Sequence, residues 1–132
     1  MYINAKLLHF FQEGMFNVDK VKDLFESAAF WHVEPDKEGL EFALRERIEK
    51  LAENASDNAG DLLSLRNLAA AVSLTPKLPF TVNFYQTQNI FYELLKNGYP
   101  KLKTAAAKGD KNAAIWVEEF RDLAANLSIK VD

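Results

Sequence analysis

Apolar residues recur at three- and four-residue intervals along most of the chain, which is the period of an amphipathic α-helix. The clearest example lies between residues 38 and 55, where one face carries Leu40, Leu44, Ile48, Leu51 and Ala55. The opposite face carries charged side chains at i, i+4 spacing, which is typical of a solvated surface. The pattern therefore predicts a helix with one buried face and one exposed face.

The same spacing predicts further helices over residues 3–13, 18–31, 61–74, 82–97 and 111–127, and an additional short helical piece over residues 99–108. Asn17, Asp36 and Thr81 are expected to cap helices, and Gly14 and Gly98 to end them. The helices between 36 and 74 are expected to form an antiparallel hairpin, and 128–131 a short extended tail. The predicted fold class is all-α: an irregular bundle of five to six helices forming a single domain over residues 1–132.

Composition narrows the classes of function. The 132 residues include no cysteine, which excludes a disulfide framework, a thiolate zinc site and a cysteine nucleophile. The first eleven residues mix Asn4, Lys6 and His9 into apolar positions and do not resemble a signal peptide. Lysine and arginine lie scattered among acids in a chain of net charge −3. We therefore expect a cytoplasmic protein with neither a nucleic-acid nor a membrane partner, and of unknown oligomeric state.

No catalytic constellation is visible. The chain has no glycine-rich phosphate loop, no paired-histidine metal motif and no calcium loop. His9 and His32 lie far apart in sequence, and the carboxylates fall on charged helix faces. We expect no enzyme, no catalytic residue, no cofactor and no metal site. A small enzyme that uses glutamate and histidine is the least favoured alternative.

Some aromatic residues lie off the expected core faces, as Trp31 and Phe42 do, and such positions can mark a contact surface. One helix also places Tyr85, Gln88, Asn89 and Tyr92 on one face. A buried amide needs a hydrogen-bond partner, which leaves two interpretations. Either the amides bond to backbone and tie down a loop, or they face a polar ligand such as a sugar, with the tyrosine rings stacking on it.

The stretch LPFTVNFYQTQNIFYELL, residues 78–95, resembles the C-terminal helical region of a subset of bacterial proteins related to glycoside hydrolase family 57. That region is a domain of unknown function in amylase and α-glucan-processing relatives. The matching positions are Leu78, Pro79, Phe80, Val82, Asn83, Gln88 and Asn89. Residues 38–53 are similar to an upstream helix of the same region, and residues 114–131 to its last helix and tail. The Gln88–Asn89 pair is the distinctive part of the match.

The resemblance implies a non-catalytic accessory domain of a larger α-glucan-processing protein. The family's catalytic barrel, with its two carboxylates, would precede this chain, and no catalytic residue carries over. The Tyr85, Gln88, Asn89 and Tyr92 face would contact the barrel or the glucan. The alternative is a stand-alone helical interaction module that self-associates through a patch including Trp31 or Phe42.

Overall fold

The computed structural model describes residues 5, 6, 8, 9, 18–32 and 34–131. In these residues every regular element is a helix and no strand occurs, which confirms the all-α prediction. Six α-helices are bounded as follows: α1 Val18–Phe30, α2 Lys37–Asp57, α3 Leu62–Leu74, α4 Tyr85–Asn97, α5 Tyr99–Ala107 and α6 Lys111–Asn126. A 3₁₀ turn, Thr75–Lys77, follows α3. The expected roles of Gly14 and Asn17 lie outside the described residues.

The chain divides into two compact units. Unit 1 comprises Met1–Arg47 and Leu74–Asn83, and unit 2 comprises Ile48–Ser73 and Phe84–Asp132. Helix α2 contributes its first half to unit 1 and its second half to unit 2. The expectation of a single domain over residues 1–132 stays a prediction.

Unit 1 combines α1, the first half of α2 and the segment that follows α3. Its buried apolar side chains are Val21, Ala28, Leu40, Ala43, Leu44, Leu74 and Val82. The rings of Phe25 and Phe80 meet edge to face, with centroids 6.4 Å apart. The Asp36 carboxylate accepts a hydrogen bond from the Gly39 N–H at 3.1 Å, as the predicted cap requires.

The predicted start of the helix over residues 82–97 is wrong. The sequence places a cap at Thr81, but α4 begins at Tyr85, and its N-cap residue, Phe84, makes no side-chain capping bond. Val82 is buried instead, and the Asn83 N–H donates to the Glu41 carboxylate at 3.0 Å. The burial of Val82 and the long-range hydrogen bond of Asn83 hold residues 82 and 83 outside the helix.

Unit 2 has an aromatic core centred on Phe120. Three rings stack on it, those of Phe91 at 4.3 Å, Trp116 at 4.9 Å and Tyr99 at 5.0 Å between centroids. Helix α5 packs against both α4 and α6. Aliphatic residues complete the buried set: Ile48, Leu51, Ala52, Ala55, Leu65, Leu68, Ala71, Val72, Leu94, Ala113, Val117, Leu123, Ala124, Leu127 and Ile129. Stacked rings add to the free energy of burial when their geometry is offset or edge-on.

Two helix ends in unit 2 use a residue with left-handed backbone. After α5 this residue is Gly109, at φ 101°, and after α6 it is Ser128, at φ 60°. At the end of α6 the Ile129 N–H donates to the Ala124 carbonyl at 2.8 Å, and the Ser128 N–H donates to the Ala125 carbonyl. This pair of bonds is a Schellman motif, which satisfies carbonyls that the helix leaves open.

Polar contacts fix α3 at its start and along its length. The Ser64 hydroxyl donates to the Asp61 carboxylate at 2.6 Å, which lowers the pKa of Asp61. The Asn54 amide donates to the same hydroxyl at 3.2 Å, across the turn between α2 and α3. On α3, Arg66 forms a two-point ion pair with Glu119 of α6, which raises the pKa of Arg66.

None of the helices in the described part of the chain combines the length and the apolar character that crossing a membrane requires.

Candidate functional site

The exposed side of α4 carries two tyrosines with an amide between them. Tyr85, Asn89 and Tyr92 follow i, i+4, i+7 spacing, which places them on one face of the helix. The side chains of Tyr85 and Tyr92 are 71% and 52% exposed. We call these three residues the tyrosine face. Its two rings are separated by about 10 Å along the helix axis, at 1.5 Å per residue.

The opposite side of α4 enters the core of unit 2. Thr87, Phe91 and Leu94 are buried there, and Phe91 stacks on Phe120. The tyrosine face is therefore presented by a helix whose orientation the core fixes. The tyrosine face begins in the first turn of α4, where the Gln88 N–H donates to the Phe84 carbonyl at 2.7 Å.

Gln88 does not belong to the tyrosine face. Its side chain is half-buried, and its amide nitrogen donates to the Leu127 carbonyl at 2.8 Å. Leu127 is the C-cap residue of α6, so this bond ties α4 to the end of the last helix. Gln88 therefore fits the interpretation in which an amide bonds to backbone. Asn89 is exposed, as an amide that faces a ligand would be.

The other two predicted surface residues lie in unit 1, on different segments. Trp31 follows α1, and its ring meets Phe30 edge to face at 5.1 Å. The two side chains are 69% and 74% exposed. On α2, Phe42 is also largely exposed, and the Arg45 guanidinium carbon lies 5.4 Å from its ring centroid. Each aromatic group thus presents apolar area to solvent, as its off-core position predicts.

Sequence reasoning missed a groove beside Phe42. It is shallow, encloses about 460 Å³, and is lined by Lys37, Glu38, Glu41, Phe42, Arg45, Phe80 and Thr81. The Glu41 carboxylate in its wall accepts from Arg45 Nε at 3.1 Å and from the Asn83 N–H. The i, i+4 spacing of Glu41 and Arg45 signals their pairing, but the contribution of residues 80 and 81 comes from a distant part of the chain.

The perturbed titrating groups serve the fold. The lowered pKa of Asp61 follows from the hydrogen bond that it accepts from Ser64 at the start of α3. The raised pKa of Arg66 follows from its bonds to Glu119. Within the described residues no group of three or more histidine, aspartate or glutamate side chains is arranged to hold a metal ion.

Comparisons with protein-family models, with curated proteins and with solved structures give no match for this chain. The similarity to glycoside hydrolase family 57-related proteins therefore stays a prediction drawn from residues 78–95 and their flanking helices.

Proposed function

We propose that the chain is a non-catalytic helical accessory module that works beside an α-glucan-processing catalytic barrel in the cytoplasm. The tyrosine face is its contact surface for the glucan or for the barrel. The observation that carries this proposal is the exposure of Tyr85 and Tyr92 on either side of Asn89. The sequence resemblance supplies the α-glucan context.

The chemistry of the tyrosine face suits a hydroxyl-rich ligand. A phenol ring offers a flat apolar surface and a polar edge, which favours contacts that are partly wet. An amide both donates and accepts hydrogen bonds, as sugar hydroxyls do. Because Gln88 anchors α4 to the end of α6, the rings are held on a fixed helix and little ordering is needed on binding.

The test is an NMR titration of the ¹⁵N-labelled chain with maltooligosaccharides up to millimolar concentration. We expect shifts in the backbone amides of residues 85–92 and in the Asn89 side-chain amide. The double variant Y85A/Y92A should bind about tenfold more weakly or worse, as expected for loss of aromatic anchors. Leu63→Ala removes an exposed apolar side chain elsewhere in unit 2 and should leave binding unchanged.

Absence of any shift at millimolar sugar would contradict glucan contact by the tyrosine face. Equal weakening in Leu63→Ala would show that the response is not specific to that face. Contact with a barrel would then be judged by whether Y85A/Y92A releases the chain from a co-expressed barrel.

A second candidate function is a self-associating interaction module, and the exposed Phe30–Trp31 pair favours it. Two adjacent rings in solvent provide apolar area that a protein partner would bury. Sedimentation velocity should then show association that Trp31→Ala abolishes. A chain that stays monomeric at high concentration would argue against this candidate.

A further inference from the structure

Five lysines crowd α5 and its flanks. The single acid among residues 96–111 is Asp110, whose carboxylate accepts from the Ala113 N–H and caps α6. Lysine and arginine lie scattered among acids in the chain as a whole, and residues 96–111 depart from that pattern. All five lysines are exposed, and none forms an ion pair or hydrogen bond with a described residue: Lys96, Lys101, Lys103, Lys108 and Lys111.

An acidic stripe lies in the same unit, on the second half of α2. Glu49, Glu53 and Asp57 follow i, i+4, i+8 spacing and therefore run along one side of the helix. Glu49 is half-buried and the other two are exposed. None of the three carboxylates bonds to a described residue.

One member of each charge set, Asp57 and Lys101, lies at a helix end where the helix dipole disfavours its charge. Asp57 ends α2, whose last turn holds no basic residue, although a helix C-terminus favours cations. Lys101 lies in the first turn of α5, which holds no acid, although a helix N-terminus favours anions. Lys96 and Lys108 lie instead at helix C-termini, which favour cations, so this dipole argument applies to Asp57 and Lys101. Because no described side chain pairs with either set, both are open to an opposite charge on another molecule.

The spacing of the two sets matches. Lys101, in the first turn of α5, and Lys108, its C-cap residue, are seven residues apart, a distance of about 10 Å along the axis. Glu49 and Asp57 span about 12 Å along α2. We propose that the lysines of α5 in one copy of the chain dock against the acidic stripe of α2 in a second copy.

The charges favour a second copy over a nucleic acid. The acidic stripe has the opposite sign to the lysines and similar spacing, so a second copy of the chain supplies a complement to both sets, whereas a polyanion would complement the lysines alone. Lysine ammonium groups are point charges and lack the fork with which arginine grips phosphate. The inference goes beyond the proposed function, because it depends on neither the tyrosine face nor the Phe30–Trp31 pair.

The first experiment is sedimentation velocity of the full chain at about 0.02 M and about 0.5 M salt, since added salt screens exposed charges. We expect association at low salt that weakens about tenfold or more at high salt. A chain that is monomeric near 1 mM at low salt would overturn the proposal. Association that resists salt and is lost in Trp31→Ala would overturn it too, while supporting the second candidate function.

The second experiment reverses one charge set at a time. K101E/K108E and E53K/D57K should each be monomeric at low salt, because each variant carries two faces of like charge. An equimolar mixture of the two should associate, because each reversed face meets its complement. K77E/K130E makes the same charge change at other exposed lysines and should associate like the parent chain.

Circular dichroism checks that the variants fold, which we expect because the replaced side chains are exposed and unpaired. The neutral variant K101Q/K108Q provides a milder change and should also weaken association. A mixture that stays monomeric, or a reversed variant that associates as well as the parent, would contradict docking between these two faces.

Discussion

Thr87 lies in the middle of α4 with its side chain fully buried, and its hydroxyl has no hydrogen-bond partner in the described part of the chain. A buried polar group without a partner costs free energy because it loses its bonds to water. We expect Thr87→Val, which keeps the shape and removes the hydroxyl, to raise the free energy of unfolding by about 1 kcal/mol. Urea denaturation followed by circular dichroism measures this change.

Thr104→Val is the matched control. The Thr104 hydroxyl is exposed and donates to the Pro100 carbonyl at 2.9 Å, so its removal should bring no gain. A loss of stability in Thr87→Val would mean that the buried hydroxyl is satisfied, for example by a water molecule, and would refute the prediction.

The tie made by Gln88 gives a second prediction at the residue scale. Gln88→Ala removes the bond to the Leu127 carbonyl and should lower the free energy of unfolding by about 1 kcal/mol. Gln86→Ala, two positions away on the exposed side of α4, should change it little. Equal effects in both variants would show that helix propensity, and not the tie, governs the loss.

Periodicity alone predicted that Tyr85, Asn89 and Tyr92 share a face, because that relation is local to one helix. The partner of Gln88 is 39 residues away in sequence. No local pattern encodes such a contact, so the sequence left both interpretations of the amides open. The long-range bond to Leu127, visible in the structure, distinguishes Gln88 from the exposed Asn89.

Two helix ends in unit 2, at Gly109 and Ser128, predict changes in stability of opposite sign. Gly109 has left-handed backbone, and an added Cβ would meet no atom within 4 Å, so Gly109→Ala introduces conformational strain alone. We expect it to lower the free energy of unfolding by about 1 kcal/mol. Ser128→Gly relieves the same strain at the end of α6 and should raise it by a similar amount.

Thermal denaturation of the two variants against the parent chain measures both effects. Each variant is the control for the other, because the two substitutions are expected to change stability in opposite directions. Destabilisation by Ser128→Gly would indicate that the serine side chain contributes a contact that outweighs its strained backbone.

The cap at the start of α3 predicts a dependence on pH. The pKa of Asp61 lies below its usual value of 3.8 because the carboxylate accepts a hydrogen bond from Ser64. The stabilisation is therefore fully present above about pH 4 and is lost as the pH falls through the lowered pKa. The stability of Asp61→Asn should fall less than that of the parent chain between pH 5 and strongly acidic conditions, as urea titrations at each pH would show. Parallel curves would contradict the assignment.

Most helix bounds could be predicted from the sequence, since capping residues and apolar spacing are local signals. Asp36 caps α2 as expected, and Gly98 ends α4. Thr81 was misassigned because the segment around it is held by Glu41, 42 residues earlier. A capping residue shows where a helix is able to begin, but here the tertiary contact with Glu41 keeps the following residues out of the helix.

For the whole molecule, the sequence predicted the helical class but gave no sign of two units. The apolar stripe of α2 continues from Leu44 to Ile48 across the boundary between the units, which falls after Arg47. No linker or change in composition marks that position. The grouping depends on which distant segments pack together, and a periodic pattern does not report this.

The expectation of a single domain predicts that both units unfold in one transition. Trp31→Phe leaves Trp116 to report unit 2 during urea denaturation. Trp116→Phe leaves Trp31, which reports unit 1 through the loss of its edge-to-face contact with Phe30. Coincident midpoints are expected. Midpoints that differ beyond the effect of each substitution would show two independently folding domains.

The position of Trp116 against the Phe120 ring has an optical consequence. Its indole is almost fully buried, whereas that of Trp31 is largely in solvent. We expect Trp116 to emit at shorter wavelength and to resist quenching by iodide, and Trp31 to emit at longer wavelength and be quenched readily. Unit 1 and unit 2 thus each contain one tryptophan with a distinct emission wavelength, so the two units can be monitored separately without an external label.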